Sequence, residues 1–136
     1  MNKLNIINTN SGKLEGYFNL TIDKLNDIIN GTSEEIICEV LDTYSYKDRV
    51  DNILLMCKKL SNEGSLTLKF INATKLCKDV SKGNCGSQFL SNIVLNSQSL
   101  FLDSDIIELI SQLQDIKIYK MYNDNLYLVV VLKKQL

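Results

Sequence analysis

Short apolar runs alternate with helical patterns along this chain, and this alternation constrains its fold more than any other feature. The runs have the β-branched and aromatic content, or the alternation of apolar and polar residues, that strands favour. The predicted strands are Leu4–Ile7, Tyr17–Ile22, Glu35–Leu41, Ser65–Ile71, Ile116–Tyr122 and Leu126–Leu132. The predicted helices are Ser45–Leu60, Ala73–Val80, Gln88–Leu95 and Asp103–Leu113, with two helical turns at Asp23–Ile29. This order predicts an α/β fold whose sheet is mostly parallel and ends in an antiparallel hairpin.

Local signals predict where several of these elements begin and end. Ser45 and Asp48 form a capping-box pattern ahead of an apolar helical face. Asn62-Glu63-Gly64 is predicted to end that helix, and Asn72 is placed to cap the next one. The C-terminal hairpin is predicted to turn at Asn123-Asp124-Asn125.

The size and charge of the chain exclude several classes of protein. Its 136 residues suit a single domain over residues 1–136. The formal net charge is -1, so neither nucleic acid nor a membrane is an expected partner. No secretory leader and no membrane span is predicted, and we therefore expect a cytoplasmic protein. The many Asn, Ile and Lys residues are typical of an AT-rich genome such as many viruses have, for which the host cytoplasm or the virion is expected.

The cysteines and the absence of histidine limit the chemistry that the chain can perform. The four cysteines form no C-x-x-C pair, and without histidine a Cys/His zinc site is excluded, so no metal is expected. Ser–His and Cys–His catalysis is excluded for the same reason. We interpret Cys38, Cys57 and Cys77 as small buried residues and Cys85 as an exposed thiol, all reduced.

Two loops have weak ligand-binding patterns, and each has a simpler interpretation. Ser11-Gly12-Lys13 resembles part of a phosphate loop, but the upstream glycine and the following Ser or Thr are missing, which favours a turn. Gly83-Asn84-Cys85-Gly86 has the spacing of a G-x-x-G clamp without basic and aromatic neighbours, which favours a surface loop.

Some charged and aromatic residues could line a pocket, although packing or solvation is favoured for each. Glu39 and Asp42 could form a carboxylate pair, but a solvated Glu39 and a helix cap by Asp42 are the favoured interpretations. The other candidates are interpreted as packed aromatic residues or solvated lysines: Tyr17, Tyr44, Tyr46, Lys58, Lys59, Lys133 and Lys134.

Four short stretches, in this order, resemble the class I S-adenosylmethionine-dependent methyltransferases. A compact subgroup begins with L-N-L-G-x-G, a short polar loop and L-E-G-Y-x-N-x-D, and here Leu4-Asn5-Ile6 and 14–19 (LEGYFN) fit that frame. The family's H-V-L-E-H-[FY] is similar to 39–44 (EVLDTY), and its L-K-P-G-G is similar to 60–64 (LSNEG). The resemblance covers most of the first 80 residues. It implies a Rossmann-like methyltransferase fold, shortened after the second strand.

The departures from the family pattern fall on the residues that the resemblance assigns to the cofactor. Glycines of the family's G-x-G let the backbone approach the cofactor closely, whereas this chain has Ile7-Asn8-Thr9 there. Thr21 replaces the acid that binds the ribose, and Glu39 replaces a histidine. The ancestral pocket implied by the resemblance comprises Ile7, Asn8, Thr9, Asn10, Gly12, Thr21 and Glu39.

These substitutions predict a methyltransferase-like protein that has lost cofactor binding and catalysis. We expect no cofactor, and a role as a binding or structural module that associates with itself or with a protein partner. The alternative is an active S-adenosylmethionine-dependent methyltransferase with an unorthodox loop. In it, Asn8, Asn10 and Gly12 would contact the cofactor and Thr21 would take the ribose. Catalysis would then rest on positioning the substrate, which needs no histidine.

Overall fold

The computed structural model describes residues 2–8 and 12–135, which form a six-stranded sheet. The strands lie in the order β2-β1-β3-β4-β6-β5. The first four are parallel, whereas β6 runs antiparallel to both β4 and β5. The strands are β1 Lys3–Ile6, β2 Phe18–Leu20, β3 Ser33–Cys38, β4 Leu60–Ile71, β5 Ile116–Asp124 and β6 Tyr127–Lys134. The predicted parallel sheet with an antiparallel C-terminal hairpin is confirmed.

In the described part of the chain, four α-helices and two short 3₁₀ helices connect the strands. They are α1 Tyr46–Lys59, α2 Ala73–Ser81, α3 Ser87–Asn96 and α4 Asp103–Ser111, with 3₁₀ helices at Ile22–Asp27 and Leu41–Thr43. The predicted caps form, since Ser45 Oγ accepts the Asp48 N–H at 3.2 Å and Asn72 Oδ1 accepts the Lys75 N–H at 3.2 Å. No helix within residues 2–8 and 12–135 is long and apolar enough to cross a membrane.

The sheet is shortened after the second strand, as the resemblance implies. A doubly wound sheet has the strand order 3-2-1-4-5-6, with a further strand beyond the second. Here β2 has three residues and lies at the edge, and only the 3₁₀ helix Ile22–Asp27 precedes β3. The helical turns predicted at Asp23–Ile29 therefore form, but as a 3₁₀ helix.

One face of the sheet carries the main hydrophobic core. Leu4, Ile36, Leu68 and Val130 alternate onto this face, where helices α1 and α4 and the 3₁₀ residue Leu25 cover them. Helices α2 and α3 form a separate small cluster with Ile71, at the carboxyl end of β4.

The opposite face is not covered by a helix in its central part, as far as the structure describes the chain. Ile37, Thr67 and Val131 lie there on β3, β4 and β6, and all three are partly exposed. We call this surface the open face. The central part of the described sheet is therefore covered by helices on one face, whereas α2 and α3 reach the other face only at its carboxyl end, at Ile71.

Two predicted turns lie elsewhere. Strand β4 begins at Leu60, and Glu63, with φ 67°, forms an irregularity within the strand where a loop was predicted. The hairpin turns at Asn125 and Leu126, since β5 continues through Asp124. Asn125 adopts φ 55°, a conformation that asparagine tolerates better than most residues.

Two expectations about exposure are wrong. Lys59 was expected in solvent, but it is 5% exposed, and its Nζ donates to the Ile28 carbonyl at 2.6 Å and to Asn30 Oδ1 at 2.8 Å. Cys77 was expected to be buried, but it is exposed because α2 buries only Ala73 and Leu76. Cys38 and Cys57 are buried as predicted, and burial raises the pKa of each thiol to about 12.

Candidate functional site

The carboxyl ends of β1, β2 and β3 meet at one edge of the sheet, where an open α/β sheet binds its ligands. The strand order reverses about β1, because β2 and β3 lie on its two sides. Ile7, Asn8, Thr21 and Glu39 follow these three strands directly. Gly12 lies in the loop after β1. Thr9 and Asn10, the other predicted site residues, lie outside the described residues.

Ile7 occupies the inside of the loop that follows β1. Its N–H donates to the Leu20 carbonyl at 2.9 Å, and the residue is 8% exposed. Gly12 has φ 83°, which favours glycine. The Ile7 Cγ2 atom lies 4.0 Å from the point where a Cβ of Gly12 would lie. The Ile7 side chain therefore lies beside Gly12, at van der Waals distance from that point.

Two asparagines hold this loop against the sheet. Asn5 is 3% exposed, and its Nδ2 donates to the Gly12 carbonyl at 2.9 Å and to Asn19 Oδ1 at 2.8 Å. Asn19 in turn accepts the Leu14 N–H at 2.9 Å and donates to the carbonyls of Leu14 and Tyr17. These asparagines were not among the predicted site residues. Their position is what could have indicated the contact, because Asn5 and Asn19 lie side by side when β1 pairs with β2.

Thr21 has a carboxylate partner that the sequence analysis missed. Its hydroxyl donates a hydrogen bond to the Asp23 carboxylate. This bond lowers the pKa of Asp23, which is fully exposed. A negative charge therefore lies two residues beyond the position where the family pattern places its acid.

Asn8 and Glu39 have different surroundings. Asn8 Nδ2 donates to Thr43 Oγ1 at 2.7 Å, and that hydroxyl donates to the Val40 carbonyl at 2.6 Å. Glu39 is exposed, as favoured from the sequence, and lines a cleft of about 370 Å³ between the sheet and α3. Of the predicted pocket residues that the structure describes, only Glu39 lines this cleft. The other residues that line it are Asp42, Thr43, Ile71, Phe89, Asn92, Ile93, Ser97 and Tyr127.

Asp42 holds a buried arginine and does not cap a helix, so that interpretation is wrong. Its Oδ1 lies 3.1 Å from Arg49 NH2, and its Oδ2 accepts the Ile71 N–H at 3.0 Å. Burial raises the pKa of Asp42, and both of these donors oppose that effect. Since both carboxylate oxygens have partners within the fold, Asp42 is not free to act with Glu39 as a catalytic pair.

Arg49 is completely buried on α1 and connects four parts of the chain. Its Nε and NH2 donate to the hydroxyl and carbonyl of Ser99 at 3.1 and 2.7 Å. Its guanidinium lies 4.4 Å from the centre of the Phe101 ring and 5.9 Å from that of Phe70. The sequence analysis missed Arg49, although its spacing from Ile53 and Met56 places it on the buried side of the helix.

The described residues offer binding groups at this edge more clearly than catalytic ones. No group of three or more Cys, Asp or Glu side chains among them is placed to hold a metal ion. Asp23 and Glu39 are the exposed carboxylates nearest to the ends of β2 and β3.

No protein-family profile and no curated protein matches this sequence. Solved structures do match its fold. The plantazolicin methyltransferase BpumL in complex with SAH has a TM-score of 0.65 and 12% identity, over 97% of this chain and 66% of that one. An O-methyltransferase family protein from Burkholderia thailandensis has a TM-score of 0.62 and 11% identity, over 88% of this chain.

A putative type 11 methyltransferase from Sulfolobus solfataricus has a TM-score of 0.54 and 14% identity, over 98% of this chain and 72% of that one. The chain spans only 35% of the Burkholderia thailandensis protein. At these identities the likeness concerns the fold alone. The chain therefore has the Rossmann-like fold of the S-adenosylmethionine-dependent methyltransferases.

Proposed function

We propose that this protein keeps the methyltransferase fold as a binding or structural module and has lost cofactor binding and catalysis. The observation that carries the proposal is the set of contacts that Gly12, in the loop after β1, makes with Ile7 and Asn5. Ile7 lies beside Gly12, and Asn5 donates a hydrogen bond to the Gly12 carbonyl. A cofactor that approached the end of β1 would have to displace both contacts.

The substitution at the end of β2 supports the same proposal. Thr21 is a neutral residue where the family pattern has a ribose-binding acid, and its hydroxyl is already bonded to Asp23. Loss of charge-assisted hydrogen bonds of this kind costs roughly 1.5–3 kcal/mol of binding free energy. Together with the displaced loop contacts, this loss predicts very weak binding of S-adenosylmethionine.

Calorimetric titration with S-adenosylmethionine and with S-adenosylhomocysteine tests the proposal directly. We expect no saturable heat for either compound, which corresponds to a Kd weaker than about 1 mM. The melting temperature should likewise not rise when either compound is added, because a ligand stabilises only a state that binds it. Saturable binding in the micromolar range would contradict the proposal.

The second candidate is an active methyltransferase, and the position of Asp23 favours it. The carboxylate of Asp23 lies at the end of β2 and is exposed, so it could accept the ribose hydroxyls in place of Thr21. A double variant, Ile7→Gly with Thr21→Asp, tests whether a cofactor pocket remains, and Asp23→Asn tests whether the wild type uses it. If a pocket remains, this variant should bind S-adenosylhomocysteine at least tenfold more tightly than the wild type, and Asp23→Asn should weaken any wild-type binding. No gain in the double variant would count against a retained pocket.

A further inference from the structure

The open face combines a partly exposed apolar centre with charges that are divided between its two halves. Ile37, Thr67 and Val131 form the centre. Two acidic residues, Glu35 and Glu39, lie on the β3 side. Four lysines lie on the strands of the other half: Lys69, Lys117, Lys120 and Lys133. Lys3 on β1 and Asp124 on β5 are the exceptions.

We infer that the open face is the contact surface for a second copy of this chain. This inference names the partner for the structural role proposed above and rests on that proposal. A surface that is acidic on one half and basic on the other can pair with a copy of itself, because a two-fold axis brings each half over the opposite half. The apolar centre then lies against itself and is removed from water.

The strand register indicates the orientation of this axis. Cys38 pairs with Leu68, so Glu39 and Lys69, which follow them, lie at the same level on β3 and β4. An axis parallel to the strands and between β3 and β4 would place Glu39 of each copy over Lys69 of the other. An axis perpendicular to the strands, at the level of Ile37, would instead place Glu35 over Glu39 of the second copy, where like charges repel. The first orientation is therefore favoured.

Space for the Glu39–Lys69 contact exists within each copy. Glu39 lines the cleft beside α3 and is exposed, so a lysine from the second copy can approach it. Lys69 is 30% exposed, and its only ion-pair partner among the described residues is Asp124 at 3.4 Å, itself half exposed. If Lys69 exchanges Asp124 for Glu39 of the second copy, Asp124 loses its partner but remains half exposed, so no buried charge is left unpaired.

The two edges of the sheet are poorly suited to pairing with another chain. Strand β5 carries Lys117 and Lys120, and its register shifts between Ile118 and Lys120. Lysines and bulges of this kind prevent edge-to-edge association. Strand β2, at the other edge, has only three residues. Stacking of two open faces is therefore favoured over extension of the sheet.

The area of the open face suits a specific but weak dimer. The loop residues Gly12 and Leu14 lie over Asn5 and Asn19 at the β1 and β2 edge, so the uncovered part is carried by four strands, β3, β4, β6 and β5. At about 4.8 Å between strands and about seven residues of ~3.3 Å each, these four cover roughly 450 Å² per copy. About 900 Å² over both copies falls among weak, transient interfaces. We therefore expect a dimer that dissociates on dilution.

Sedimentation velocity over about 1–100 µM, a range centred on the affinity of weak complexes, tests the inference. The wild type should pass from monomer to dimer with rising concentration. Glu39→Lys and Lys69→Glu should each raise the dissociation constant at least tenfold, and the double variant should restore most of the association. A wild type that stays monomeric over this range, or a double variant no better than either single one, would overturn the inference.

A matched pair of variants identifies the face independently of these charges. Ile37→Arg, at the centre of the open face, should be monomeric. Ile107→Arg, on α4 at the opposite side of the sheet and 45% exposed in the wild type, should remain dimeric. Circular dichroism must show that both variants are folded, and if Ile37→Arg does not fold, Thr67→Arg on the neighbouring strand replaces it. The inference would be overturned if Ile37→Arg remained dimeric, or if Ile37→Arg and Ile107→Arg weakened the dimer equally.

The lysines and tyrosines of β5 and β6 are also typical of a surface that binds single-stranded nucleic acid, which is the one competing ligand for the open face. Lys133 lies 4.3 Å from the Tyr119 ring centre, and Lys120 lies 5.2 Å from that of Tyr122. Fluorescence anisotropy with labelled single-stranded DNA and RNA distinguishes the two. Salt-sensitive oligonucleotide binding by a monomeric wild type would overturn the inference, whereas a self-associating chain should bind neither. None of these measurements involves S-adenosylmethionine, so failure here is distinct from failure of the proposed loss of the cofactor.

Discussion

Replacement of Arg49 by methionine is expected to lower the free energy of unfolding by about 3–5 kcal/mol, the cost of breaking a buried ion pair. The variant leaves Asp42 without its cation and removes both hydrogen bonds to Ser99. Methionine keeps much of the volume of the arginine stem, so the loss reports on the guanidinium and not on a large cavity. Urea unfolding followed by circular dichroism measures the change.

A surface ion pair of the same chain provides the control. Lys75 and Asp79 lie 3.7 Å apart on α2, and both are partly exposed. Lys75→Met should cost less than about 0.5 kcal/mol, as is usual for such pairs. Arg49→Lys should recover only part of the loss, because lysine cannot reproduce the donor geometry of the guanidinium. A cost below about 1 kcal/mol for Arg49→Met would show that the buried pair does not stabilise the fold.

Replacement of Gly64 by alanine is expected to cost about 3 kcal/mol, at the upper end of the usual range for overpacking. A Cβ at this position would lie 2.8 Å from the carbonyl oxygens of both Ser33 and Ser61. Because these atoms belong to the backbone, neither can rotate away, and β3 and β4 would have to move apart. Thermal and urea unfolding of the variant measure the loss.

Gly86 is the matched control for this substitution. It precedes α3 with φ -72°, and a Cβ there would meet no atom within 4 Å. Gly86→Ala should change stability by no more than about 0.5 kcal/mol, since a small loss of helix capping opposes a gain in chain stiffness. Equal effects at the two glycines would mean that chain flexibility, and not the close approach of β3, explains the result at Gly64.

The fold could be predicted from the sequence because its signals are local. The alternation of apolar runs and helical patterns placed all six strands and all four α-helices. The caps at Ser45 and Asn72 depend on residues three positions away, and they form as predicted. The strand order β2-β1-β3-β4-β6-β5 was not predicted, because it depends on pairing between segments that are distant in sequence. The missing strand after β2 followed from the short segment before Glu35.

The site was predicted only in part because its contacts join distant parts of the chain. Arg49 donates a hydrogen bond to Ser99, fifty residues along the chain, and no local pattern indicates that pairing. Asn5 and Asn19 meet only after β1 and β2 are aligned. Lys59 has the sequence context of a solvated residue, but the carbonyl of Ile28 is brought beside it by the tertiary fold. The exposure of Glu39 was predicted, because it depends on the local strand pattern alone.

The position of β6 has a consequence for synthesis of the chain on the ribosome. This strand is the last of the six to be made, yet it lies between β4 and β5 in the sheet. Until residues 127–134 have emerged, the long edge of β4 has no partner on that side, and its apolar residues lack part of their core. The nascent protein therefore cannot complete its sheet in stages from the N-terminus. During translation it depends on protection of the β4 edge from other chains, as partly folded sheets do in general.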